Sequence, residues 1–174
     1  MRSSKVFAFW PVLLGLIALD CTTKNLAVEK LSPAYVPHQV IGDVVRFTLA
    51  YNPHAAMGLS LGQYSRVGFG LLAAIMLAGL IYYRRRISAQ STFTMIALAL
   101  IGGGAAGNMI DRVRSSMGVV DFIDVGVGNT RFYTFNVADA GVFCGTLLLS
   151  LVMMRQNAKT GGMKPPAQDQ NQPE

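Results

Sequence analysis

Four stretches of this chain carry almost no charge, and charged residues mark most of their ends. They run from Val6 to Leu19, from Val67 to Tyr83 between Arg66 and Arg84, from Ser88 to Ile110, and from Phe132 to Met154 with only Asp139 inside. A helix that crosses a bilayer needs about 20 predominantly apolar residues, with a range of roughly 17–25. The third and fourth runs meet that length. The second is at the short end and is read from residue 65. The first is long enough only if Asp20 and Lys24 are carried inside the helix toward Val28. The expected spans are therefore 6–28, 65–83, 88–110 and 132–154. Composition agrees: 52% of the 174 residues are apolar and 14% are charged, against ~25% charged in a typical soluble domain. That balance excludes a disordered chain and a coiled coil and argues against a soluble enzyme. A net charge of +6 would suit a nucleic-acid partner only if the bases formed a patch or stripe. Here they sit at the ends of apolar runs, so no nucleic acid is expected.

The first run has a competing reading as a signal peptide, since Arg2 and Lys5 precede an apolar stretch. Ala18-Leu19-Asp20-Cys21 even resembles a lipoprotein cleavage box. Asp20 stands where a small residue belongs, however, and no large soluble domain follows. The first run is therefore kept as a span. Basic residues set the orientation. With the N-terminus in the cytoplasm, the inner face holds Arg2, Lys5, the Arg84-Arg85-Arg86 cluster, Arg155, Lys159 and Lys164. Asp20, Glu29, Asp43, Asp111, Asp121, Asp124 and Asp139 then all fall on the outer half. Both termini are expected to be cytoplasmic. Between the first two helices, residues 29–64 form an outer loop. Within it Val44–Tyr51 is β-branched and aromatic, preceded by Gly42-Asp43 and followed by Asn52-Pro53, so it reads as a strand. The fold class is thus an all-α integral membrane protein with four transmembrane helices and a small periplasmic β-sheet between helices 1 and 2. Residues 1–155 make one membrane-embedded domain, and the polar stretch 156–174 is a disordered cytoplasmic tail. Cys21 and Cys144 lie in or beside apolar stretches and read as small buried residues.

Charged and polar groups inside apolar spans are costly, which makes them functional candidates. Asp20 and Lys24 are spaced i,i+4 on one face of the first helix. The third run ends in Gly102-Gly103-Gly104-Ala105-Ala106-Gly107-Asn108-Met109-Ile110-Asp111-Arg112. The following loop holds Asp121 and Asp124, and the fourth run carries Asn136 and Asp139. All fall near the outer face. Gly103 and Gly107 have the small-xxx-small spacing that lets helices approach closely. Arg112 is open to two roles, neutralising its neighbour Asp111 or reaching a carboxylate elsewhere, and for Asp111 the structural pair is expected. The histidines, His38 and His54, both lie in the first loop, and no metal or nucleotide motif is present. No metal and no cofactor are expected. What remains is a pair of carboxylates. Two aspartates held together cannot both ionise easily. The ionised one can take a proton from water while the neutral one donates to a carbonyl oxygen. Asp139 is the firmest candidate, because it interrupts an apolar run. Its partner is left open among Asp121, Asp124, Asp111 and Asp20.

These residues resemble a known family. Asp20-Cys21-Thr22-Thr23-Lys24 is similar to the D-x-x-x-K stretch of bacterial lipoprotein signal peptidases, the type II signal peptidases. Asn52-Pro53-His54-Ala55-Ala56-Met57-Gly58 resembles their N-x-G-A-A-F segment, and Gly102 to Arg112 their G-G-A-x-G-N-x-x-D-R motif. Val120-Asp121-Phe122 and Phe135-Asn136-Val137-Ala138-Asp139 resemble the last two motifs. Each piece is weak alone, but all of them in order on four spans are specific. The resemblance implies an aspartic-type signal peptidase II. It would cut a prolipoprotein just before a cysteine that already carries a diacylglyceryl group, and it would be blocked by the cyclic peptide globomycin. By motif position, Asp121 and Asp139 would be the catalytic pair. Asp20, Lys24, Asn52, Asn108, Arg112 and Asn136 would bind substrate or support the site. Its partners would be the lipidated precursor and membrane lipid, its place the bacterial inner membrane, and nothing demands more than a monomer.

The chain departs from the family pattern at His54, where Gly is usual, and at Met57, where Phe is usual. Histidine does not cheaply adopt the backbone angles open to glycine, so a different loop path is expected there. A second functional class competes with the peptidase: a small four-helix transporter that uses Asp139 for ion coupling. Depth discriminates them, because such acids lie near the bilayer midplane. At 1.5 Å per residue, Asp139 would lie about 12 Å into the fourth run.

Overall fold

Backbone groups in lipid find partners only within their own segment, so uninterrupted apolar runs become helices. The computed structural model describes residues 8–54, 62–86 and 92–160. It contains helices α1 (Phe9–Lys30), α2 (Ser65–Arg86), α3 (Thr92–Arg114) and α4 (Val137–Thr160). All four are long and apolar enough to cross a membrane, which makes this a multi-pass membrane protein. As expected, α1 carries Asp20 and Lys24 within it. The Met57 end of the first loop, the bases Arg2 and Lys5, and residues 87–91 and 161–174 lie outside the described residues. Several boundaries differ from the apolar runs, most clearly those of α3 and α4. α3 extends past Ile110, so Asp111 and Arg112 are in its last turns. α4 begins at Val137 rather than Phe132 and continues to Thr160, past the start of the expected tail at residue 156.

α3 is the central helix and packs on α1, α2 and α4. Its neighbours cover it: half of its membrane-span window is buried, against 6% for α2. At the N-terminal end of α1, Phe9 and Leu13 meet Met95, Leu98 and Ala99 in a purely apolar core. Cys144, expected to be buried, is exposed on the outward face of α4 beside Phe143. At the other end of the bundle the core turns polar, and there the helices meet a sheet.

The sheet is antiparallel in the order β1 (Pro37–Ile41), β2 (Val45–Asn52), β3 (Val119–Val127) and β4 (Thr130–Arg131). The expected strand is β2. The sheet also takes β3 and β4 from the connection between α3 and α4, a segment expected to be loop. Asp121 and Asp124 obscured β3, because acids are depleted in strands. Val127 pairs with Thr130, so the chain reverses at Gly128-Asn129. Gly128 has φ +56, a conformation that tight hairpin turns ask of glycine. The chain then runs back along β3. Phe135 and Ile123 exchange backbone hydrogen bonds of 3.0 and 2.8 Å, and this return delivers Asn136 to the start of α4 beside Asp121.

Candidate active site

Asn136 is the hub. It precedes α4, and its Oδ1 accepts the Asp139 backbone N–H at 2.9 Å. The Asp139 Oδ2 in turn accepts the Asn136 N–H at 3.2 Å. This reciprocal pair is a capping box, with Asn in the usual Ser/Thr place and Asp in the usual Glu/Gln place. Two orphan N–H groups are satisfied, and the Asp139 carboxylate is fixed at the positive end of the helix dipole. Because Oδ1 is committed to the backbone, the amide Nδ2 must face the other way. It donates to Asp121 Oδ1 at 2.7 Å, Asn108 Oδ1 at 3.1 Å and Val120 O at 3.3 Å. Asn136 itself is wholly buried.

Asp121 is 3% exposed. Its other oxygen, Oδ2, accepts from Asn52 Nδ2 at 3.3 Å, because β2 pairs Ala50 with Asp121 and brings the end of that strand alongside. Burial, and then the nearby charge of Asp139, push the Asp121 carboxyl up to about 7. The amide donors Asn136 and Asn52 pull the other way and are outweighed. Asp139 Oδ1 accepts from Asn108 Nδ2 at 2.7 Å. Among the described residues neither Asp121 nor Asp139 forms an ion pair, and every hydrogen bond they receive comes from an uncharged N–H.

The other acids are paired off. Asp124 accepts from Arg131 Nε at 2.8 Å and from Thr48 Oγ1 at 3.1 Å. Lys24 Nζ lies 2.8 Å from both Asp20 Oδ2 and Asp111 Oδ2. Asp111 therefore pairs with Lys24 and not with Arg112, contrary to the expectation from their adjacency. Neighbours in a helix point about 100° apart, whereas Lys24 projects from α1 straight at the α3 face that carries Asp111. Arg112 instead donates to Asn108 O at 3.1 Å and to His54 O at 3.0 Å. It ties α3 to the segment just after β2, whose last residue, Asn52, accepts the His54 N–H through Oδ1 at 3.0 Å. His54 is not in the left-handed region, which among described non-glycine residues holds only Tyr35; the loop path beyond it lies outside the described residues. Gly107 packs against a carboxylate as well as a helix: a Cβ would stand 2.5 Å from Asp20 Oδ2. Arg66, which the sequence reading left aside, donates to Arg112 O and Val113 O at 2.5 and 3.1 Å and closes the C-terminus of α3. Its place at the edge of the second apolar run gave no hint of that role.

The structure thus brings Asp121, Asp139, Asn52, Asn108 and Asn136 together, with Asp20, Lys24 and Arg112 behind them. Asp139 lies in the first turn of α4, at the sheet end of the bundle rather than deep in a span. That removes the depth on which an ion-coupling role would rest.

Fold and site together define a class: a multi-pass membrane protein with a buried polar centre where α1, α3 and the start of α4 meet a small sheet. The sequence profile described as Signal peptidase (SPase) II matches residues 12–155. The chain is 36% identical over 154 residues to the lipoprotein signal peptidase of Geobacillus thermodenitrificans, covering 88% of this chain and 93% of that protein. It is 38% identical over 155 residues to that of Pseudomonas syringae pv. tomato, covering 87% of each. Against that of Bacillus subtilis the identity is 35% over 153 residues, covering 87% of this chain and 96% of the other. A solved bacterial membrane enzyme superposes with a TM-score of 0.75 at 27% identity, over 88% of this chain and 92% of that one. The chain belongs to the type II signal peptidase family, a family of proteases.

Proposed function

We propose that this protein is an aspartic endopeptidase that removes signal peptides from diacylglyceryl-modified prolipoproteins, cutting before the lipidated cysteine. The observation that carries the reading is the pair Asp121 and Asp139, bridged by Asn136 and supplied only with neutral donors. Family membership supports the substrate class. The peptidase domain is residues 1–155, both termini face the cytoplasm, and the sheet end with its acids faces outward from the bacterial inner membrane. Membrane lipid, the lipidated precursor and globomycin are its partners, and it works as a monomer.

The chemistry follows from the environments. Asp121, with its carboxyl raised to about 7, starts protonated. Asp139, in the first turn of α4, is assigned the role of base in the first step. A water between them gives a proton to Asp139 as its oxygen attacks the scissile carbonyl carbon. Asp121 donates its proton to the carbonyl oxygen, and a tetrahedral diol forms. Asp139 then protonates the leaving nitrogen while Asp121 recovers a proton from a diol hydroxyl. The C–N bond breaks and both carboxyls return to their starting states. Asn108 and Asn136 hold the acids in position throughout.

The test is a gel-shift assay in detergent with a lipidated prolipoprotein and the same precursor without lipid. Cleavage of the lipidated form alone is expected, and globomycin is expected to block it. Asp121→Asn and Asp139→Asn should each lose activity by at least about 10³-fold. Turnover by either purified, folded variant would sink the dyad assignment.

A further inference from the structure

Lys24 is 2% exposed, yet it carries a full charge on a helix that crosses the membrane. An ammonium has three donors and no acceptor. Here it meets three acceptors: Asp20 Oδ2, Asp111 Oδ2 and Asn108 Oδ1, each at 2.8 Å. Either carboxylate alone would balance the charge. The third contact is to a neutral amide and adds nothing to that balance, but it decides which way the amide faces. Asn108 has one end that accepts and one that donates. Its Oδ1 receives Lys24 Nζ and Asn136 Nδ2, at 2.8 and 3.1 Å. With two donors on that end, a flipped amide would set its NH2 against an ammonium and a second amide NH2. Nδ2 is therefore obliged to face Asp139 Oδ1, at 2.7 Å.

We infer that Lys24 is a positioning residue that acts on Asp139 through Asn108: it locks the amide so that Asp139 is always presented with a donor. This rests on the reading of Asp139 as a catalytic acid. Lys24 touches neither Asp121 nor Asp139 by hydrogen bond, and the Asp20 and Asp111 carboxylates occupy its other sides. Without Lys24, Asn108 can rotate and turn its oxygen toward a carboxylate it should support.

The experiment is a double-mutant cycle on the full chain in detergent, with kcat and KM measured on the lipidated precursor and thermal unfolding followed in parallel. Lys24→Met is combined with Asp20→Asn, so that one charge of each sign is removed. Its kcat should fall about 100-fold, the size of effect that misplacing a reacting group produces, with KM within about 2-fold of the parent because a buried lysine meets no substrate. Asn108→Leu should lose a similar amount. Joined together, the changes should cost no more than about 3-fold beyond Asn108→Leu alone, as for residues acting in series. Lys24→Gln keeps N–H donors and side-chain bulk and should retain at least about 10-fold more kcat than the Met variant; it reports even where the charge-pair variant does not fold. Losses that multiply, a change in KM alone, or equal kcat for the Gln and Met variants would overturn the inference. Asp139→Asn is run alongside. If it still cleaves, the proposed reaction fails; if it is dead and the losses multiply, only the role of Lys24 fails.

Discussion

Asp121 and Asp124 lie on the same strand and are almost equally hidden, at 3% and 8% exposure. Their surroundings are opposite. Asp124 faces a guanidinium, Arg131 at 2.8 Å, and Arg131 is anchored further by donating to Asp43 O at 2.6 Å. Asp121 faces two amides and the charge of Asp139. Burial alone therefore does not mark an acid as reactive. An acid that is buried with a cation holds the structure together, while one buried with neutral donors beside a second acid keeps a proton available.

The contrast can be broken in several ways. The largest effect is expected on catalysis. Asp121→Asn should abolish cleavage while the thermal midpoint holds or rises, since the change removes a carboxyl that is hard to ionise there. Asp124→Asn should do the reverse. Turnover per folded molecule should stay within a few-fold, and stability should drop by about 2 kcal/mol, because Arg131 is left half-buried with a weaker partner. Chemical unfolding of the two variants side by side checks both. Equal loss of activity in the two would erase the distinction.

A smaller effect concerns pH. The folded state holds the Asp121 proton up to about 7, whereas the unfolded chain releases it near the ordinary value of 3.8. Between those values the native state binds more protons, so stability falls as pH rises. The contribution is fully present below about pH 4 and exhausted above about pH 7. The midpoint of the parent minus that of Asp121→Asn, measured across this window, should decline with pH; a flat difference would refute the raised pKa. The smallest effect separates two lysines of α1. Lys30 pairs with Glu29 at 2.6 Å, but both are more than 60% exposed. Lys30→Ala should change stability by no more than about 0.5 kcal/mol.

The helices were legible because lipid leaves a backbone few choices, and apolar length is read directly from the chain. Strand β2 showed through its β-branched and aromatic run. Strands β1 and β3 did not: Pro37-His38-Gln39 has no alternation, and the acids of β3 look like loop. The start of α4 was hidden by Phe132, Tyr133 and Phe135, which extend the apolar run but belong to the returning strand segment. Asn136-Val137-Ala138-Asp139 was the overlooked signal, a helix-start pattern inside an apolar stretch. At the site, the family motifs pointed to residues that the structure brings into contact with one another. The sequence could not assign partners among the acids, since whether Asp111 meets Lys24 or Arg112 depends on how α1 lies against α3.

The sheet that carries Asp121 is woven from both halves of the chain: β1 and β2 precede α2, and β3 and β4 follow α3. Asn52 reaches Asp121 only across that seam, and Asp139 acquires its orientation only when the first turn of the last helix closes. During synthesis no partial product holds the complete centre. The proposed catalytic pair is thus brought together only once the first turn of the last helix has formed.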